Sequence, residues 1–194
     1  MIPVRILDKI PTDIFTHCND EIKNINWDSV QDLRKTNSVF STSTAIHLRV
    51  HDAPDGTPHT VKDMSQYVEC RDTAFRKEFP NTNTLIECVY NMVTGCKLGR
   101  IMIVKLLPGG EITEHIDPGK YFQSYHRFHV PIITNSDVKF FGPNGTNATH
   151  MPIGFLSQLN NRQLHSASNK GINKSSLSWP RPPLTTLVRS SFKP

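Results

Sequence analysis

The order of apolar and polar residues divides the chain into a mixed first half and a strand-rich second half. Apolar residues at helical spacing follow Pro11 and continue to about Ile25, and a second such stretch covers residues 83–94 before Gly95. These two patterns predict helices. Residues 43–51 alternate between apolar and polar side chains, which predicts a strand. The first half is therefore expected to supply helices that pack against a sheet.

From Arg100 onward, short apolar runs recur between clusters of turn-forming residues. Short strands at this spacing are typical of all-β sandwiches and barrels. Because helical patterns come first, we predict an α+β, mostly-β fold. Its core is a cupin-like jelly roll of two sheets, and N-terminal helices support one face. The predicted strands are Ile101–Leu107, Phe128–Ile133, Val138–Phe141, Gly154–Leu159 and Pro183–Val188.

Composition narrows the class of protein. The 194 residues are 37% hydrophobic and 20% charged, and no run of about 18 apolar residues occurs that would span a membrane. The four cysteines are scattered without a CxxC pair, which favours a reducing compartment. The first residues lack the pattern of a signal peptide. We therefore expect a cytoplasmic globular protein without a membrane partner.

Charge is unevenly distributed along the chain. The net charge is +5, yet the segment from Val138 to the C-terminus contains seven basic residues and no Asp or Glu. A basic segment of this kind attracts anions. Lysines and arginines do not alternate with aromatic residues there, as they do in grooves that bind single-stranded nucleic acid. A nucleic-acid partner is therefore not expected.

Histidines concentrate in the second half, where five of the nine lie within residues 115–165. His115 and Asp117 are two residues apart, so in a strand they share one face and can bind the same metal ion. His129, His150 and His165 are the candidates for a third ligand. Two histidines and one carboxylate form the facial triad that binds Fe(II) and leaves three coordination positions open.

Several motifs around these histidines resemble one enzyme family. Residues 106–119, 127–135, 151–154 and 159–166 are similar, in the same order, to motifs of the aspartyl/asparaginyl β-hydroxylase family. Members of this family are Fe(II)- and 2-oxoglutarate-dependent oxygenases with a double-stranded β-helix core. The resemblance covers roughly residues 99–170.

The resemblance implies a role for each residue of the motifs. His115, Asp117 and His165 correspond to the iron ligands and thus to the catalytic centre. Arg127 and His129 correspond to residues of the 2-oxoglutarate pocket. The implied reaction uses 2-oxoglutarate and dioxygen to hydroxylate an amino-acid carbon, with succinate and CO2 as coproducts. The substrate is the β-carbon of Asp or Asn in a protein, or a free amino acid.

The C-terminal segment departs from the family pattern. The family places an arginine about ten residues after the last iron ligand, where it binds the distal carboxylate of 2-oxoglutarate, but this chain has Ser175 there. Lys174, Arg181 and Arg189 are possible substitutes, or no residue replaces it. Prolines beside Arg181 disfavour a central strand at that position. Either the segment completes the core in a divergent way, or unrelated sequence replaces the last strand.

These observations predict a single oxygenase domain over residues 1–194. Residues 1–98 form a mixed helix and strand support, residues 99–170 form the core with the metal motif, and residues 171–194 form a divergent basic segment. The missing arginine motivates one alternative, a non-catalytic jelly-roll module that binds a partner. A metal-dependent cupin that does not use 2-oxoglutarate is another alternative.

Overall fold

The computed structural model describes most of the chain as a jelly roll of two antiparallel sheets. The described residues are 4–32, 34, 37–51, 69–93, 95–117, 119–171 and 185–193. The strands are β1 Val4–Lys9, β2 Ser43–His51, β3 Cys70–Asp72, β4 Lys97–Leu106, β5 Glu111–His115, β6 His126–Ile133, β7 Val138–Phe141, β8 Phe155–Leu159, β9 His165–Asn169 and β10 Thr185–Lys193. The helices are α1 Thr12–Lys23, α2 Pro80–Met92 and α3 Lys120–Ser124.

The strand order shows how the jelly roll is built. The larger sheet has the order β1-β8-β6-β10-β4-β2-β3, and the smaller sheet has the order β5-β9-β7. From β4 to β10 the chain alternates between the two sheets, one strand at a time. This alternation is the double-stranded β-helix arrangement, so the predicted fold class is confirmed.

Helices α1 and α2 cover the outer face of the larger sheet. Their buried residues, such as Ile22 and Leu85, pack against Ile103 and Phe128 of the sheet in one apolar cluster. The Glu21 carboxylate of α1 accepts hydrogen bonds from the backbone amides of residues 81 and 82 at 2.9 and 2.8 Å. It thereby satisfies amides in the first turn of α2 that have no partner within the helix. The helices leave the opposite, inner face of the larger sheet available for a functional site.

Strand β10 lies in the middle of the larger sheet. It pairs with β4 on one side and with β6 on the other. Val188 and Phe192 are buried in the apolar cluster beneath the helices. The divergent C-terminal segment therefore completes the core, which answers the question that the sequence left open. Lys174 and Arg181 lie outside the described residues.

Predicted and observed elements agree closely where the apolar pattern is strong. Strands β2 and β7 have their predicted bounds, whereas α2 begins three residues earlier than predicted, because Pro80 suits the first turn of a helix. The last strand extends to Lys193, well beyond the predicted Val188. The polar strand β9 was not predicted from hydrophobicity. It pairs with β5 on one edge and with β7 on the other, so hydrogen bonds to these two strands stabilise it.

The larger sheet also combines strands from all three predicted segments. Strands β1 to β3 come from residues 1–98 and β10 comes from residues 171–194. The core thus extends beyond residues 99–170. Within the described residues, no helix is long and apolar enough to cross a membrane.

Candidate metal centre

Two histidines meet at the ends of neighbouring strands of the smaller sheet. His115 is the last residue of β5, His165 is the first residue of β9, and the two are paired in register. Asp117 follows two residues after His115. Its carboxylate oxygens lie 3.9 Å from Nε2 of His115 and 3.7 Å from Nε2 of His165. One ligand atom from each residue lies within 4.8 Å of the other two. The structure therefore brings the three predicted ligands together.

Both imidazoles are held with the same ring nitrogen directed to the backbone. Nδ1 of His115 donates to the carbonyl of Thr113, and Nδ1 of His165 donates to the carbonyl of Gln163, each at 2.8 Å. A carbonyl only accepts hydrogen bonds, so the proton of a neutral ring stays on Nδ1. In a neutral ring Nε2 then carries no proton, and its lone pair can bind a metal ion; in the structure Nε2 of His165 lies 3.4 Å from Nη1 of Arg127.

Burial keeps His165 in the neutral form that binds metals. Its side chain is buried, and this burial, assisted by the charge of Arg127, lowers the pKa of His165 to about 4. At neutral pH the ring is therefore uncharged. Two neutral imidazoles and one carboxylate are the donor set of the Fe(II) facial triad, so the residues fit this metal.

Arg127 of β6 enters the same cluster from the larger sheet. Its guanidinium forms an ion pair with the Asp117 carboxylate and lies 3.4 Å from Nε2 of His165. It also lies over the Phe122 ring, 5.5 Å from the centroid. Burial lowers the pKa of Arg127 and the Asp117 charge opposes this, but a guanidinium stays protonated at neutral pH. The family resemblance assigns Arg127 to the 2-oxoglutarate pocket, and in the structure its guanidinium contacts the predicted metal ligand Asp117.

His129 belongs to a row of paired positions that crosses five strands of the larger sheet. Paired neighbours on adjacent strands share one face. Val188 and Val130 of β10 and β6 are buried under the helices, so the alternate positions, which include this row, belong to the inner face. The row runs in register through His47, Met102, Arg189, His129 and Ser157.

His126 and His150 lie outside the cluster of His115, Asp117 and His165. His150 directs Nδ1 to the carbonyl of Val138 at 3.0 Å, and His126 contacts the Gln158 amide at 3.1 Å. Neither of them belongs to the cluster of candidate ligands. Of the three candidates for the third ligand, the cluster in the described residues contains His165 and neither His129 nor His150.

One neighbour of the centre could not be found by its spacing in the sequence. Phe40 precedes β2, and its ring contacts His115 edge-on with 5.7 Å between centroids. Some 75 residues separate the two along the chain, and no local motif marks Phe40. The contact exists because the turn before β2 packs against β5.

Comparison with known proteins confirms the predicted family. The model of the aspartyl/asparaginyl beta-hydroxylase family matches residues 21–175, which is well over half of the chain. The chain therefore belongs to this family. Membership confirms the predicted enzyme class, a 2-oxoglutarate-dependent hydroxylase that uses Fe(II). A search of curated proteins found no match.

Solved structures share the fold at low sequence identity. An oxidoreductase of the 2OG-Fe(II) oxygenase family from Burkholderia pseudomallei has a TM-score of 0.55 and 9% identity, over 98% of this chain and 84% of that one. A prolyl-4-hydroxylase from Pseudomonas putida has a TM-score of 0.52 and 10% identity, over 100% and 93%. HygX from Streptomyces hygroscopicus, solved with nickel, 2-oxoglutarate and hygromycin B, has a TM-score of 0.53 and 10% identity, over 100% and 83%.

Proposed function

We propose that this protein hydroxylates an amino-acid carbon, either the β-carbon of an Asp or Asn residue in a polypeptide or a carbon of a free amino acid. The observation that carries the proposal is the cluster of His115, Asp117 and His165, in which both histidines present Nε2. Family membership supplies the enzyme class. Succinate and CO2 are the expected coproducts.

Each residue of the site has a distinct task in this proposal. His115, Asp117 and His165 hold Fe(II), which, together with 2-oxoglutarate, supplies dioxygen activation and C–H hydroxylation. Arg127 fixes the orientation of the Asp117 carboxylate through their ion pair. His129, buried on the inner face beside β10, contributes to the 2-oxoglutarate pocket.

We further propose that Arg189 replaces the arginine that the family pattern places near residue 175. Arg189 is paired in register with His129, the residue assigned to the 2-oxoglutarate pocket. An arginine at this position of the sheet suits a carboxylate, because its planar fork donates two parallel hydrogen bonds and keeps its charge. The register of Arg189 with His129 supports this assignment, and Lys174 and Arg181 lie outside the described residues.

Substituting Arg189 tests this assignment. The R189M variant is expected to bind 2-oxoglutarate roughly 10- to 150-fold more weakly, since a charged hydrogen-bond partner is lost. Isothermal titration of 2-oxoglutarate into the anaerobic Fe(II)-loaded protein measures the change. The R162M variant, in an exposed turn, is the matched control and should keep wild-type affinity. Equal affinity of R189M and wild type would contradict the assignment and leave Lys174, Arg181 or no residue in this role.

The first experiment on the proposed function is an anaerobic titration of the Fe(II)-loaded protein with 2-oxoglutarate. Binding of 2-oxoglutarate to the iron is expected to produce a visible charge-transfer band, and Zn(II) in place of Fe(II) should give none. A band supports the oxygenase assignment and leads to substrate screening. Bound iron without a band contradicts the assignment and favours a non-catalytic module.

A further inference from the structure

A second buried charged cluster lies next to the metal centre and has no task in the proposed reaction. It consists of Asp32 and Arg34, which precede β2, and His47, which lies within β2. The Asp32 side chain is fully buried and accepts hydrogen bonds from Nη2 and Nε of Arg34 at 2.8 and 3.1 Å. It also accepts a hydrogen bond from the backbone N–H of Ala45 at 2.7 Å, and Nε2 of His47 lies 3.8 Å away. The carboxylate therefore fixes the Arg34 guanidinium in one orientation.

Asp32 keeps its charge in this environment. Burial raises the pKa of Asp32, but hydrogen bonds to His47 and Arg34 and the Arg34 charge together lower it well below its ordinary value. The carboxylate is thus ionised at neutral pH, and the ion pair with Arg34 persists. Nε and Nη2 of Arg34 donate to this carboxylate, whereas Nη1 is directed away from it.

The position of Arg34 connects the cluster with the metal centre. The Arg34 guanidinium carbon lies 5.1 Å from the centroid of the Phe40 ring. The same ring contacts His115 edge-on, so a single aromatic side chain separates Arg34 from a proposed iron ligand. His47, at the other end of the cluster, belongs to the inner-face row that contains His129. The cluster thus adjoins both parts of the proposed active site.

The Arg34 nitrogen that does not contact Asp32, Nη1, donates to a weak hydrogen-bond acceptor. Among the described residues, the polar contact of Nη1 is with the sulfur of Met102 at 3.9 Å, and a thioether is a weak acceptor. Met102 lies in the inner-face row, so this nitrogen is directed to the interior of the jelly roll. Guanidinium donors held in this way are complementary to a carboxylate.

We propose that Arg34 binds a carboxylate of the primary substrate. The assignment deepens the proposed function and rests on it: the substrate is acidic, and an uncharged amide at the same place is disfavoured. The carboxylate has two chemical sources, the side chain of an aspartyl residue or the α-carboxylate of a free amino acid. Asp32 and His47 act on the substrate only through the orientation of Arg34.

Binding of three small probes tests the proposal without turnover. The Mn(II)- and 2-oxoglutarate-loaded protein is titrated anaerobically with N-acetyl-L-aspartate methylamide, free L-asparagine and N-acetyl-L-asparagine methylamide. The first has only a side-chain carboxylate, the second only an α-carboxylate, and the third has none. We expect one carboxylate probe to bind at least about 10-fold more tightly than the third. The R34M variant should lose this preference and keep wild-type affinity for 2-oxoglutarate.

Two further variants separate the role of Arg34 from a structural one. R34K keeps the charge without the planar fork and should retain part of the preference, which guards against a folding defect of R34M. R49M breaks a more exposed arginine–aspartate ion pair, between Arg49 of β2 and Asp72 of β3, and should keep the full preference. The proposal is overturned if wild type prefers no carboxylate, or if R34M keeps the preference or weakens 2-oxoglutarate binding equally. If wild type does not bind 2-oxoglutarate in a metal-dependent way, the proposed function itself is wrong.

Discussion

Replacing His115 with alanine is expected to abolish the formation of succinate from 2-oxoglutarate. The substitution removes one of two imidazole donors from the cluster with Asp117 and His165. Loss of a residue that merely orients a metal ligand already costs roughly 10- to 100-fold in metal affinity or activity, so loss of a ligand itself should exceed this range. Two measurements follow the effect: equilibrium binding of Fe(II), and succinate released per enzyme in the presence of dioxygen.

A matched histidine serves as the control for this prediction. His150 also directs Nδ1 to a backbone carbonyl, yet it lies outside the candidate cluster. H150A should therefore retain iron binding and turnover, while H165A should behave like H115A. Undiminished turnover in H115A would show that His115 is not a ligand, and equal losses in H150A and H115A would point to a general folding defect.

Replacing Arg127 with methionine is expected to destabilise the metal-free protein strongly and the metal-loaded protein much less. In the metal-free protein, Arg127 is the cation that pairs with the buried Asp117 carboxylate. Removing one member of a buried ion pair costs about 3–5 kcal/mol, because the remaining charge loses its compensation. For a chain of this length that lowers Tm by about 6–20 °C. A bound divalent cation supplies the missing positive charge, so Mn(II) should raise Tm more in R127M than in wild type.

Thermal unfolding of both proteins, with chelator and with Mn(II), measures this difference. R49M is a suitable comparison because Arg49 also pairs with an aspartate, Asp72, whose side chain is 47% exposed. Exposed pairs contribute about 0–1 kcal/mol, so R49M should change Tm little and show the wild-type response to Mn(II). An identical Mn(II) response in R127M and wild type would mean that Arg127 does not compensate the charge of Asp117.

The metal motif was predictable because its residues are close in the sequence or fixed by a known motif order. His115 and Asp117 are two residues apart, and the end of a strand brings them to one place. His165 was one of three candidates from the residues, and only the resemblance singled it out. The structure supports that choice geometrically, since β5 and β9 pair at His115 and His165.

The central position of the C-terminal strand was not predictable from its residues. A short strand was predicted over Pro183–Val188, but the prolines beside Arg181 and the missing arginine left open whether the segment completes the core, and β10 occupies the centre of the larger sheet. A strand between two partners is stabilised by hydrogen bonds on both edges and by burial of Val188 and Phe192, terms that local propensity omits. The register of Arg189 with His129 is likewise a property of pairing between strands about 60 residues apart.

The sequence by itself determined the jelly-roll class, the two outer helices, the enzyme family and the identities of the proposed iron ligands. These features depend on periodicity and on short motifs, which are local properties of a chain. Only the tertiary structure decided that Arg127 pairs with Asp117, that β10 completes the core, and that Arg34 lies one aromatic ring from His115. Those contacts join residues far apart in the chain, and the register and packing of the two sheets determine which of them meet.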